Sequence, residues 1–149
     1  AERYLDQWKP YTDSLQQELE GIEQILFTGC GYSLATTGMC PLILPLPCQG
    51  IHSAHFLARN LETLSTRTLT CICLGDPLTA SQHQSLFEAV RRKQAKSFLI
   101  GTGSDHSAFA IPQIASPLLP LLEILPLQML ALAKTRTSTQ TASPSSVAP

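Results

Sequence analysis

Charge is the scarcest property of this 149-residue sequence: Lys, Arg, Asp and Glu together make up 14% of it, against 44% hydrophobic residues, and the formal net charge is −1. A chain so poor in cations has no basic field with which to hold a phosphate backbone, so nucleic acid is excluded as a partner. So few charges leave much apolar surface to cover, and part of it is expected to lie against a second lobe or another subunit of a homo-oligomer. Paired metal-ligand spacing is also lacking. The five cysteines, Cys30, Cys40, Cys48, Cys71 and Cys73, are odd in number and contain no CxxC pair, which reads as reduced thiols in a cytoplasmic protein with no metal and no cofactor. The opening residues Ala1-Glu2-Arg3-Tyr4 are charged and no apolar h-region follows, so no secretion signal is expected. The most apolar stretch, Pro117 to Ala133, is interrupted by Pro120, Glu123 and Pro126 and falls short of the ~20 residues of a membrane span.

What is present is an alternation of helical and strand-like segments. Trp8, Tyr11, Leu15, Leu19 and Ile22 recur at spacings of three and four and predict an amphipathic helix. Ile25-Leu26-Phe27-Thr28 predicts a short buried strand running into Gly29-Cys30-Gly31, with a helix beyond Ser33 that Pro41, Pro45 and Pro47 should end. Residues 41–53 are assigned no element. Leu57, Leu61 and Leu64 return at helical spacing, and Thr68 to Leu74 predicts a second strand, apolar enough to be buried on both faces. Leu86, Phe87 and Val90 form the inner face of another helix that closes on Arg91, Arg92 and Lys93. Ser97 to Ile100 predicts a third strand, Ala108 to Ile111 a short fourth, and Ser116-Pro117 the start of a long helix. From Thr135 the composition turns to Ser, Thr, Ala and Pro, which divides the chain into a domain over residues 1–134 and a disordered tail over 135–149. Strands alternating with helices predict an α/β fold, a three-layer sandwich with a mainly parallel sheet, in which ligands bind beyond the carboxyl ends of the strands.

The loop Gly29-Cys30-Gly31-Tyr32-Ser33 stands at such an end. Its glycines let the backbone approach an anion, and a helix N-terminus supplies amide donors and partial positive charge, so these five residues are the candidate substrate-binding site and phosphate the expected ligand group. A dinucleotide fingerprint needs glycine three residues after Gly31, where Leu34 stands, and no Walker loop occurs. The turn Gly101-Thr102-Gly103 is the second choice.

The run Gln24 to Ser33 resembles the opening strand and loop of the sugar isomerase (SIS) family, above all the isomerase half of glutamine:fructose-6-phosphate aminotransferase. The helix Ser116 to Ala131, with its Pro126-Leu127-Gln128, is similar to that family's closing helix. Arg67 to Asp76 and Phe87 to Asp105 resemble strand, helix and strand of its second lobe. The resemblance implies an SIS-like sheet, a phosphosugar ligand (a hexose or hexosamine phosphate) and sugar-phosphate isomerase or isomerising aminotransferase chemistry. It covers about two thirds of the chain, in patches. The family's Ser-x-Ser-Gly-Glu-Thr loop, its His-Gly-Pro segment and its closing lysine tail have no counterpart, and Tyr32 replaces a small hydroxyl residue. The departures imply an incomplete SIS fold, a first-lobe start joined to a second-lobe end, and a catalytically inactive binding or structural partner subunit, or a truncated fragment, as the alternative function.

No catalytic residue is assigned. His52, His55 and His83 have no neighbouring carboxylate in sequence, Asp105 alone precedes His106, and all four histidines read as surface or structural groups; Glu62 and the Arg91-Arg92-Lys93 run are given no site role.

Overall fold

The computed structural model describes residues 17, 19–44, 47–74, 80–101, 109–112 and 117–141. Five strands are present: β1 (Gln24–Gly29), β2 (Cys48–His52), β3 (Thr68–Leu74), β4 (Lys96–Gly101) and β5 (Phe109–Ala110). They form one sheet in the order β2-β1-β3-β4-β5 with every pairing parallel. The three apolar runs predicted as the first, second and third strands are β1, β3 and β4, and they are parallel neighbours at its centre. The segments that resemble parts of different lobes join here in a single sheet, with Phe27 opposite Cys71 and Cys71 opposite Phe98.

Alternation along the strands divides the core in two. On one face Ile25, Phe27, Leu69, Cys71, Cys73 and Ile100 pack beneath α1 (Ser33–Ile43) and α3 (Leu119–Thr141), which contribute Cys40, Leu119, Leu127 and Leu130. On the other, Leu26, Ile51, Ile72 and Leu99 lie beneath α2 (Ala80–Arg92), which brings Leu86 and Val90. Helices on both faces make the three-layer α/β sandwich.

β2 is the element the sequence did not predict. Pro41 does not end α1 but lies inside it, where its missing amide removes the bond that residue 41 would give to the Thr37 carbonyl. Gly50 of β2 comes up against that carbonyl: a Cβ at position 50 would stand 1.9 Å from Thr37 O. Glycine is therefore required where the edge strand crosses under α1. After β2 the chain makes one α-turn (Ser53–His55), a π-helical turn (Phe56–Asn60) and a 3-10 turn (Leu61–Thr63). Phe56 is its fully buried anchor, whereas Leu57 is exposed, so the leucine spacing read as a regular helix is shifted in register.

Composition placed a boundary at residue 134, but α3 runs through it to Thr141, with Thr135 Oγ1 donating to the carbonyls of Ala131 and Leu132. Residues 142–149 of the expected tail lie outside the described residues, as do Trp8, Tyr11 and Leu15 of the first predicted helix, while Leu19 and Ile22 are buried in the core. Among the described residues no helix is long and apolar enough to cross a membrane.

Helix α1 buries Ser33, Thr36, Thr37 and Cys40 and exposes Leu34, Met39 and Leu42, the last at 84%. Together with exposed Leu118, Leu121 and Leu132, apolar side chains remain on the outside of both helices covering this face.

Candidate functional site

The connection leaving β1 passes through α1 on one face, and that leaving β3 through α2 on the other, while β2 and β4 lie on opposite sides of this central pair. The carboxyl ends of β1 and β3 therefore flank a topological switch point, the place where open parallel sheets leave a crevice for ligand. The candidate loop stands on its β1 side. Gly31 has φ +59, a conformation costly for any residue with a Cβ, and it turns the chain from strand into helix. Tyr32 holds the N-cap position without a side-chain cap and is 42% exposed. Leu34 and Ala35 donate their amides to the carbonyls of Gly31 and Tyr32, closing the first turn.

Ser33 is turned inward. Its Oγ donates to Glu123 Oε1 at 2.7 Å, and Thr36 Oγ1, one turn on, donates to Glu123 Oε2 at 2.5 Å. All three side chains are fully buried. A carboxyl group in the apolar interior requires such donors, and one near a helix N-terminus also gains from the helix dipole. The Ser33 hydroxyl proton is thus directed into the protein rather than toward the crevice. Glu123 also acts on the sheet: burial first, and then its negative charge, push the Cys73 thiol pKa well above its ordinary value.

On the opposite face of β1 lies a second polar cluster. His83, fully buried in the first turn of α2, places Nε2 at 2.9 Å from Ser53 Oγ and 3.7 Å from Cys30 Sγ. Ser53 directly follows β2 and Cys30 directly follows β1, so three segments bring a thiol, a hydroxyl and an imidazole to the ends of adjacent strands. Of the histidines weighed from sequence, His83 alone among those described reaches the candidate loop. His52 accepts from the Ala54 amide, the His52 and His55 rings stand 5.9 Å apart on the surface, and His106 lies outside the described residues. No group of three or more His, Cys, Asp or Glu able to hold a metal occurs among the described residues. Glu62 is tied to Lys93 at 2.9 Å in an exposed ion pair, and Arg92 pairs with Glu88. In the second glycine turn only Gly101 is described.

No family model matches the chain, and no curated protein does. Solved structures do. The chain superposes on a proposed phosphosugar isomerase from Clostridium difficile with a TM-score of 0.76 at 16% identity, over 97% of this chain and 43% of that one. This is the fold of the sugar isomerase (SIS) domain. The same SIS fold is found in the C-terminal domain of glucosamine-fructose-6-phosphate aminotransferase from Francisella tularensis, with a TM-score of 0.67 at 14% identity over 92% of this chain and 43% of that one. It recurs in tagatose-6-phosphate ketose/aldose isomerase from Escherichia coli, with a TM-score of 0.59 at 16% identity over 93% and 44%. The chain spans less than half the length of these three structures.

Proposed function

We propose that this chain is a phosphosugar-binding SIS-type domain, related to aldose-ketose sugar-phosphate isomerases and hexosamine-forming aminotransferases, that receives the phosphate of a hexose or hexosamine phosphate against Gly29-Cys30-Gly31-Tyr32-Ser33. The observation that carries the reading is the Gly31 turn: a left-handed glycine at the carboxyl end of β1, at the switch point of a parallel sheet, opening a helix N-terminus. Backbone amides of the turn, rather than the Ser33 hydroxyl, would be the donors, because that hydroxyl already serves Glu123. The same commitment of Ser33 and Thr36 favours the second reading, a lobe that binds without turnover, since aldose-ketose transfer of a proton between adjacent carbons needs polar groups presented to the ligand.

Reduced thiols fit a cytoplasmic setting. The exposed Leu42, Leu121 and Leu132 support association through the α1 and α3 face, either with another copy or with a second lobe of the kind that the length of the solved structures leaves room for.

Ligand-observed NMR with fructose 6-phosphate, glucosamine 6-phosphate and the corresponding unphosphorylated sugars tests the reading. Saturation transfer is expected for the phosphorylated sugars alone, and its loss is expected in Gly31→Val, whose Cβ costs roughly 1–2 kcal/mol in the left-handed region. A folded Gly31→Val variant that binds as the parent does places the site elsewhere.

A further inference from the structure

We infer that Cys30, His83 and Ser53 form a nucleophilic thiol site that accepts low-molecular-weight disulfides by thiol-disulfide exchange. The inference does not depend on phosphosugar binding. It rests on the sharing of one imidazole nitrogen between a thiol and a hydroxyl, His83 Nε2 lying 3.7 Å from Cys30 Sγ and 2.9 Å from Ser53 Oγ.

A cysteine attacks as its thiolate, and a histidine within hydrogen-bond reach that takes the thiol proton produces that species. His83 is so placed, and Ser53 lets the buried ring hold either protonation state. A hydroxyl both donates and accepts. While Nε2 carries no proton, Ser53 donates to it; once Nε2 has taken the proton from Cys30, the hydroxyl rotates and accepts from it, so that the new Nε2–H keeps a partner.

In the exchange, the Cys30 thiolate attacks one sulfur of the disulfide and a new S–S bond forms. The original S–S bond breaks, and the departing thiolate leaves as a thiol with the proton held by His83. The disulfide is the oxidant, one of its sulfurs ending in the mixed disulfide and the other as free thiol.

Cys40, Cys71 and Cys73 supply the contrast, whereas the hydrogen bond with Cys40 lowers the pKa of Cys48. Burial pushes the Cys71 and Cys73 pKa values well above the ordinary thiol value, and the Cys40 pKa is raised by its hydrogen bond to Cys48 and by burial. All three are on the far face of the sheet from His83, as is half-buried Cys48. Cys30 keeps 6% of its surface exposed and is followed by Gly31, which has no side chain to shield it, and by exposed Tyr32.

The test is reaction of the folded full chain with 4,4′-dithiodipyridine, following thiopyridone release and mapping the modified cysteine by peptide mass. Cys30 is expected to react at least about tenfold faster than Cys71 and Cys73, with His83→Gln slowing it by about tenfold or more and leaving Cys48 within about twofold. Ser53→Ala, which retains the imidazole, is expected to slow Cys30 and not Cys48. Circular dichroism and thermal melts establish that each variant is folded. Labelling of wild-type Cys30 no faster than Cys71 and Cys73 overturns the inference, as does a folded His83→Gln whose Cys30 reacts at the parental rate. If His83→Gln does not fold, the wild-type order and Ser53→Ala decide: an unchanged Cys30 rate in folded Ser53→Ala then overturns it.

Discussion

Ser33 and Glu123 are 90 residues apart in sequence and joined by a buried hydrogen bond of 2.7 Å, which ties the first turn of α1 to the second turn of α3. With Thr36 on the other carboxyl oxygen, this bond fixes the helix that opens from the candidate loop against the helix that covers it. Removing the acceptor leaves two interior hydroxyls to be satisfied elsewhere, and bonds to charged groups contribute about 1.5–3 kcal/mol each. Glu123→Ala is therefore expected to lower stability by about 3 kcal/mol in urea denaturation. A double-mutant cycle of Ser33→Ala with Glu123→Ala should give a coupling of about 1 kcal/mol or more. Coupling near zero would mean that the two side chains are neighbours without being energetically linked.

Gly50→Ala tests how closely the edge strand approaches α1. Its Cβ would stand 1.9 Å from a backbone carbonyl, so β2 or α1 must move, at a cost of about 3 kcal/mol or more. Hydrogen exchange should show the loss concentrated in β2 and the second half of α1. Parental stability in this variant would refute the approach described here.

Thr70 presents the opposite case. Its hydroxyl, like that of Thr28, is buried without a hydrogen-bond partner among the described residues. Thr70→Val keeps the shape and the strand preference while deleting that group, and is expected to stabilise the protein by about 1 kcal/mol. A loss of stability in thermal or urea melts would show that the hydroxyl is bonded in solution.

Much of this fold could be read from the sequence because its central strands are continuous apolar runs: β1, β3 and β4 announce themselves as strands buried on both faces. β2 could not be read. Cys48-Gln49-Gly50-Ile51-His52 is an edge strand that buries only Ile51, and it stands among prolines that favour irregular chain. The candidate loop was legible from its glycines, but the direction of the Ser33 hydroxyl was not, since its acceptor comes from the far end of the domain. A signal for that acceptor was present nonetheless. Glu123 falls in phase with Leu119, Leu127 and Leu130, the buried stripe of α3, so a carboxylate at that phase is a buried one. His83 falls likewise in phase with Leu86, Phe87 and Val90. Its burial could be read from that spacing; its meeting with Cys30 could not, because only the strand order brings the two together.

The placement of α3 has a consequence for how the protein is made. During synthesis β1, β3 and β4 leave the ribosome before the helix that shields their Phe27, Cys71 and Ile100 face, and α1, the earlier cover, brings mostly small polar side chains to it. The nascent sheet thus carries an open, thiol-bearing apolar surface until Leu119, Leu127 and Leu130 have emerged, the stage of synthesis at which a partly folded chain is most prone to aggregate.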